Sequence, residues 1–377
     1  MNPGLLNTHV VIAAGGTGGH VFPALAVAEE LRRRGIGVSW IGTRNGLESR
    51  LVPAANIEID WIEVSGLRGN GLRGWLRAPI TLLKALRQAS RVLKSRTPVA
   101  VLGMGGFVTG PVGVAAWLRG VPVLIHEQNA VAGMTNRLLA RIARRVLEAF
   151  PNSFTPGLGK AVHTGNPIRR EIAALSAHSD PAARLAERDV GTRLLVIGGS
   201  LGALALNENV PKALGLVPTA VRPVVRHQAG EKTLATAQQA YQDAGVDAEV
   251  TAFIDDMAEA YAWADFAICR AGAMTVAELA AAGLPAILVP FPHAVDDHQT
   301  ANARYLSDAG AAVLCPQFEA KPPLLAARIS DMCKRSRRHQ MAALALSKAM
   351  PDATERVVEQ ILDVAGLRAE PEIGATS

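Results

Sequence analysis

Three cysteines, Cys269, Cys315 and Cys333, are too few and too widely spaced for a disulfide framework, and no Cys/His cluster has metal-site spacing. A reducing, cytoplasmic setting is expected. Aromatic residues are only 4% of the 377, and no nucleic-acid-binding module is recognisable, so nucleic acid is not expected as a partner. Also missing is a basic n-region followed by an apolar h-region, because glycines interrupt the only apolar run near the N-terminus; no export is expected. Residues 97–118 carry no charge over 22 positions, enough by length to span a bilayer. Pro98, Pro111, Gly103, Gly105, Gly106, Gly110 and Gly113 break that stretch into strand, loop and helix, and loop backbone facing lipid would go unsatisfied.

The usual nucleotide fingerprints are absent as well. No G-x-x-x-x-G-K-[S/T] occurs, which leaves a P-loop hydrolase unsupported. The one literal G-x-G-x-x-G, Gly69-Asn70-Gly71-Leu72-Arg73-Gly74, sits among arginines without an acidic residue about 20 positions on, and reads as a chance match. No Asp-x-Asp is available to clamp a metal on a diphosphate, so neither a metal nor a cofactor is expected. Finally, no carboxylate occurs from Val64 through His126, whereas Arg68, Arg73, Arg77, Lys84, Arg87, Arg91, Lys94, Arg96 and Arg119 add nine positive charges there. Residues 1–166 hold 19 Lys/Arg against 8 Asp/Glu, a balance of +11, and residues 167–377 hold 20 against 25, a balance of −5. The partner of the first half should be anionic.

What the chain does have is two glycine turns. Gly15-Gly16-Thr17-Gly18-Gly19-His20 follows the apolar run 10–14 and precedes a helical pattern over 23–34. Strand, glycine turn and helix together form an anion site, since glycine admits close backbone approach and the helix start offers unpaired N–H groups. His20 adds a group that titrates near neutrality at the rim of that site. Strands are expected at 38–42, 57–64, 99–102, 121–125 and 145–147, alternating with helices as in a doubly wound α/β domain. A loop-rich passage with Pro151, Pro156 and Pro167 follows, and a boundary is placed near Asn166.

The second half repeats the scheme, with a strand at 194–197, the turn Gly198-Gly199-Ser200-Leu201-Gly202, and a helix from Ala203. Further strands are expected at 224–226, 250–253, 266–269, 286–289 and 312–314. Domains of 1–166 and 167–351 follow, with a last helix at 352–366 packing back on the first and a disordered tail from 367. Ligands of such sheets sit beyond the carboxyl ends of the strands, so a cleft between the domains is the expected site.

Further polar groups stand where these sheets would present them. In Arg270-Ala271-Gly272-Ala273-Met274-Thr275-Val276-Ala277-Glu278 a helix start could meet a diphosphate, and the Glu278 carboxylate could accept from both hydroxyls of a ribose, or simply favour the helix dipole. The cluster 296–302 offers partners for sugar hydroxyls, or a capped solvated loop. His126-Glu127-Gln128-Asn129 ends a strand, and its side chains are expected to face the site. Around Leu72, Trp75, Leu76, Ile80, Leu83 and Leu86 the cations form a basic amphipathic segment suited to an anionic membrane surface, or to a solvated helix on the sheet.

Together these motifs, with Val21-Phe22-Pro23, Ser65-Gly66-Leu67-Arg68-Gly69, Gly103-Met104-Gly105-Gly106, Gly165-Asn166-Pro167-Ile168-Arg169, Phe253-Ile254-Asp255-Asp256-Met257 and His298-Gln299-Thr300-Ala301-Asn302-Ala303, closely resemble the MurG-type glycosyltransferases nearly end to end. These are the undecaprenyl-diphospho-muramoylpentapeptide N-acetylglucosaminyltransferases of bacterial cell-wall synthesis. The resemblance implies a GT-B fold of two Rossmann-like domains, and inverting transfer of N-acetylglucosamine from UDP-N-acetylglucosamine to the 4-hydroxyl of the muramoyl sugar of lipid I, giving lipid II.

By the same resemblance the Ile254 backbone meets the uracil, Glu278 the ribose, Ser200 and Ala273, Met274, Thr275, Val276 and Ala277 the diphosphate, and Gln299 the sugar. Thr17, Gly18, Gly19, Asn129 and Arg169 complete the pocket, the first glycine turn also receives the lipid diphosphate, and His20 is the candidate base. Arg73, Trp75, Leu76, Arg77, Ile80, Leu83, Lys84 and Arg87 would face an anionic phospholipid surface at the cytoplasmic face of the plasma membrane, where cell-wall synthesis or division proteins are candidate partners. Two rivals remain: a UDP-N-acetylglucosamine 2-epimerase, which needs no lipid platform, and a non-catalytic membrane scaffold, which leaves the glycine turns without purpose.

Overall fold

The structure, a computed structural model, describes residues 8–64, 71–154, 161–178, 191–199 and 202–367. The side chains of residues 71–78 are outside that description, and so are Ser65-Gly66-Leu67-Arg68-Gly69, Ser200, Leu201 and the tail from Arg368. The chain divides into two units, Met1–Pro167 with Asp352–Ser377, and Ile168–Pro351.

In the first unit, strands β1 (His9–Ala13), β2 (Gly37–Gly42), β3 (Glu58–Trp61), β4 (Ala100–Gly103), β5 (Val123–Glu127), β6 (Arg145–Glu148) and β7 (Ala161–His163) form one sheet in the order β3-β2-β1-β4-β5-β6-β7. Every pairing is parallel, and β1 runs beside β4 with Ala13 opposite Gly103. Side chains of a strand alternate between faces, so one sheet needs two apolar covers. Val10, Ile12 and Ala14 pack under helix α1 (Gly18–Arg33), while Val11 and Ala13 pack with Ala85, Ala89 and Leu93 of α3 (Gly71–Arg96) and Val112, Ala115 and Ala116 of α4 (Thr109–Leu118). Ala85, Ala89 and Leu93 recur every fourth residue, one stripe of a helix. Between β2 and β3 lies the short α2 (Glu48–Ala54), and α5 (Met134–Leu139) follows β5.

The second unit opens with the single-turn helices α6 (Arg170–Ala173) and α7 (Leu175–His178). Its sheet, in the order β10-β9-β8-β11-β12-β13, comprises β8 (Arg193–Ile197), β9 (Val224–Gln228), β10 (Glu249–Thr251), β11 (Phe266–Cys269), β12 (Ala286–Leu288) and β13 (Ala312–Leu314). Helices α8 (Leu204–Leu216), α9 (Leu234–Ala244), α10 (Met257–Trp263), α11 (Ala273–Ala281), α12 (His298–Ser307), α13 (Pro322–Met332) and α14 (Arg335–Leu346) connect and cover it. The last helix, α15 (Ala353–Val364), leaves this unit and buries Val357, Val358 and Ile361 in the core under α1, where Asp363 pairs with Arg145 at 2.6 Å.

The structure departs from the sequence reading at three places. Helix α1 starts at Gly18 rather than at residue 23: Thr17 is extended (φ −110°, ψ 160°) and its carbonyl accepts from both His20 and Val21 N–H at 3.1 Å. His20 is therefore in the first turn of the helix. The strand expected over 57–64 shortens to β3, and a seventh strand, β7, forms where only loop was expected. At three residues and at the sheet edge, β7 is held by its pairing to β6 rather than by an apolar pattern. The uncharged stretch 97–118 resolves into β4, a glycine turn and α4, and among the described residues no helix is long and apolar enough to cross a membrane.

Candidate functional site

In both sheets the chain reverses its direction of winding between two central strands, β1 and β4 in one, β8 and β11 in the other. The helices after those strands leave on opposite sides, which opens a crevice at the strands' carboxyl ends. The turns there are Gly15–His20 and Gly103–Phe107 in the first unit, and those at Gly198, Gly199 and Gly202 and at Arg270–Gly272 in the second.

In the first unit the two turns are locked together. Gly15 N–H donates to Gly105 O at 3.3 Å, and Met104 N–H donates to Ala13 O at 2.8 Å. The Thr109 hydroxyl accepts from Gly105 N at 3.1 Å and lies 3.0 Å from Ala13 O. At Gly106, which has φ +83°, a Cβ would stand 2.4 Å from Gly15 O, so only glycine lets the turns approach. Trp40 Nε1 donates to Ala14 O at 2.8 Å, fixing the end of β1 from the other side.

Beneath the turn lies Glu48, fully buried, whose carboxylate accepts from Gly16 N (2.9 Å), Thr43 N (2.9 Å) and Thr43 Oγ1 (2.7 Å). The sequence reading missed Glu48. It stands more than 30 residues from the turn, and its local pattern is that of an ordinary acid in a helix's first turn.

His20 is half-buried at the rim, beside exposed Thr17 and Gly19. Its Nδ1 lies 3.2 Å from Gly15 O and 3.5 Å from Thr17 Oγ1. A carbonyl can only accept, so Nδ1 carries the proton, and in the neutral ring Nε2 presents a lone pair. Gly105, at φ +100°, lies against the ring: a Cβ there would be 2.5 Å from His20 Cδ2 and 2.8 Å from Nε2. The first turn of α1 holds no carboxylate, as a helix end facing an anion requires.

The next strand end corrects an expectation. His126, Glu127 and Gln128 are buried and do not line a solvent-facing site. His126 donates from Nε2 to Gly165 O (3.0 Å) and accepts at Nδ1 from Gln128 (3.2 Å), and burial lowers its pKa to about 4, so the ring is neutral. Glu127 takes Asn129 N, Gly133 N and Asn136 Nδ2 at 2.9–3.0 Å, and Gln128 donates to Met104 O at 2.9 Å. These residues build the floor, and of the four only Asn129 is half-exposed.

In the second unit Gly199 (φ +84°) and Gly202 (φ +75°) shape the turn after β8, and a Cβ on Gly202 would meet Ala229 O at 2.3 Å. Gly272 (φ −63°, ψ 143°) caps α11, whose first-turn amides at Ala273, Met274 and Thr275 have no carbonyl four residues back within the helix. Asn302 is buried and donates to Ala271 O at 3.2 Å, pinning the strand end before that cap.

One turn into α11, half-buried Glu278 receives the Tyr261 hydroxyl on Oε2 at 2.8 Å. Burial raises the Glu278 carboxyl above its ordinary value, only partly offset by that hydrogen bond and by the charge of Arg169, at the start of α6. Ile254, half-buried, sits in the loop between β10 and α10. Gln299 uses its carboxamide oxygen to accept from Phe291 N at 2.9 Å, leaving its NH2 as donor. Before it, Asp296 (φ 53°) and Asp297 (φ 49°) are successively left-handed, an uncommon backbone for which aspartate is among the better suited side chains. The structure thus groups Ile254, Glu278, Arg169 and the α11 start around α10 and α11, with Tyr261 as a member the sequence reading did not include. Among the described residues no group of three or more His, Cys, Asp or Glu could hold a metal ion.

The basic segment is α3, with Ile80 (72%), Leu82 (55%) and Leu83 (47%) exposed and with Arg73, Trp75, Leu76 and Arg77 in its first turns. Lys84 and Arg87 are exposed too, Lys84 pairing with Glu63 at 2.6 Å. Arg96, one of the nine cations counted from sequence, pairs with Asp60 at 2.9 Å and with Glu58. The apolar exposure continues onto α4, packed beside α3, through Trp117 and Leu118.

Residues 10–148 match the glycosyltransferase family 28 N-terminal domain, and residues 193–357 match the family's C-terminal domain. The chain is 57% identical over 357 residues to a UDP-N-acetylglucosamine–N-acetylmuramyl-(pentapeptide) pyrophosphoryl-undecaprenol N-acetylglucosamine transferase of Alkalilimnicola ehrlichii, covering 94% of this chain and 99% of that protein. A crystal structure of Acinetobacter baumannii MurG is 45% identical and superposes with a TM-score of 0.81 over 94% of this chain and 99% of that one. A UDP-GlcNAc 2-epimerase from Neisseria meningitidis superposes with a TM-score of 0.66 at 13% identity, over 94% of this chain and all of that one, a likeness of fold alone.

Proposed function

The chain belongs to glycosyltransferase family 28, and we propose that it moves N-acetylglucosamine from UDP-N-acetylglucosamine to the 4-hydroxyl of the muramoyl sugar of undecaprenyl-diphospho-muramoyl-pentapeptide. The observation that carries the reading is the likeness over nearly the whole chain to transferases of that activity. The geometry supports a single displacement. His20 Nε2 takes the proton of the acceptor hydroxyl as its oxygen attacks C1 of the donor sugar, the bond from C1 to the diphosphate oxygen breaks, and UDP leaves with inverted configuration at C1. Charge developing on the departing diphosphate is met by the first-turn amides of α11, which are fixed before the reaction.

In this reading Ile254 offers backbone to the uracil, Glu278 accepts from the ribose hydroxyls, and Gln299 donates to the sugar. Ser200, Thr17, Gly18, Gly19, Asn129 and Arg169 complete the contacts. The exposed apolar residues of α3 and α4, with Arg87 and Arg91 beside them, fit a peripheral seat on an anionic leaflet at the cytoplasmic face, where the acceptor's lipid resides.

The test is incubation of the purified protein with labelled UDP-N-acetylglucosamine and an analogue of the lipid acceptor. Labelled disaccharide lipid is the expected product. Release of free N-acetylmannosamine without acceptor would make the protein an epimerase, and donor binding without turnover would make it a scaffold. Replacing His20 with Ala should lower kcat by about 10²–10⁴-fold while leaving donor affinity unchanged. A fully active H20A protein would remove His20 from the chemistry.

A further inference from the structure

The placement of Glu278 raises a question that its assignment to the ribose leaves open: what keeps one half-buried carboxyl group aimed. Tyr261 answers it. The ring is 1% exposed in α10, and its hydroxyl meets Glu278 Oε2 at 2.8 Å. Burial raises the phenol well above its ordinary value, so it remains protonated and always donates. With Oε2 engaged, the carboxylate still has its second oxygen and further lone pairs with which to accept.

The same short helix begins three residues after Ile254, and its start is fixed by Asp256, which accepts from Glu259 N at 2.8 Å. Helix α10 therefore ties the loop assigned to the base and the carboxylate assigned to the sugar ring of one nucleoside into a single rigid piece.

We propose that Tyr261 is the positioning residue for recognition of the ribose diol, holding Glu278 so that the site selects ribonucleotide donors over their 2′-deoxy counterparts. Tyr261 touches no substrate in this account; it acts through Glu278. The proposal rests on the assignment of Glu278 to the ribose, and the experiment separates the two.

Binding of UDP and of 2′-deoxy-UDP is measured by calorimetry for the wild type, Y261F and E278Q. Tyr261→Phe keeps the buried ring and deletes only the hydroxyl, so folding is preserved. The expected result is that Y261F binds UDP about tenfold more weakly, binds 2′-deoxy-UDP nearly as the wild type does, and so loses its preference, as does E278Q. A purely structural Tyr261 would weaken both nucleotides alike. If E278Q loses the preference and Y261F keeps it, the role of Tyr261 is overturned while Glu278 stays at the ribose. If E278Q also keeps the preference, Glu278 does not read the diol, and both statements fall.

Discussion

Substituting Gly105 by Ala tests whether His20 is held by the second glycine turn. Gly105 has φ +100°, a conformation that costs a non-glycine residue about 1–3 kcal/mol. The new methyl would also lie 2.5 Å from His20 Cδ2 and 2.8 Å from Nε2. Carbon atoms rest at about 3.5–4.0 Å, so the imidazole has to move by about 1 Å. A displacement of that size in a catalytic group costs about 100-fold in rate.

The donor contacts assigned here to the second unit stay in place, so kcat should fall about 100-fold with the Kd for UDP-N-acetylglucosamine unchanged. Gly35, at the far end of α1, has φ +80° and nothing within 4 Å of a Cβ. G35A therefore carries the backbone strain alone and serves as the control, losing stability but not kcat. Label transfer to a lipid acceptor analogue gives kcat, and calorimetry gives Kd. Should G105A turn over as fast as G35A, or should its Kd weaken in step with kcat, the idea that Gly105 seats the base is wrong.

Glu48→Gln should destabilise the first unit by about 2 kcal/mol in urea unfolding, because a carboxamide cannot accept from both Gly16 N and the Thr43 pair without turning its NH2 against a donor; an unchanged midpoint would contradict this. Burial holds His126 and His227 neutral, at about 4 and about 3 against an ordinary 6.5. The unfolded chain then binds protons first as pH drops below 6.5, and stability declines by about 1.4 kcal/mol per pH unit for each ring until the folded rings protonate; flat stability from pH 7 to 5 would be the contrary finding. Glutamates at Ile80 and Leu118 together should abolish sedimentation with anionic phospholipid vesicles while leaving UDP affinity intact, since each apolar side chain contributes about 1.5–3 kcal/mol on burial. Sedimentation equal to wild type would place the lipid surface elsewhere.

The amino-acid order by itself determined the class of fold. Apolar runs of strand length alternating with helical periods, and glycines at 15–19 and 198–202, leave a parallel sheet with helices on both faces as the consistent solution in each half. It also exposed the candidate groups lying next to an irregular feature of the chain, such as His20 after its glycines and Glu278 after Gly272.

Hidden from it was everything that depends on which strands become neighbours. Only the pairing of β1 with β4 brings Gly105 against a histidine 85 positions earlier and makes His20 Nδ1 the protonated nitrogen of a packed ring. Tertiary structure alone drew Glu48 beneath a turn about 30 residues away, turned His126 and Gln128 inward, and brought the Tyr261 hydroxyl to Glu278. The physical reason is range. Propensity and periodicity act over a turn or a strand, whereas a buried polar atom takes whatever partner the assembled sheet places within about 3 Å, and sequence distance carries no record of it.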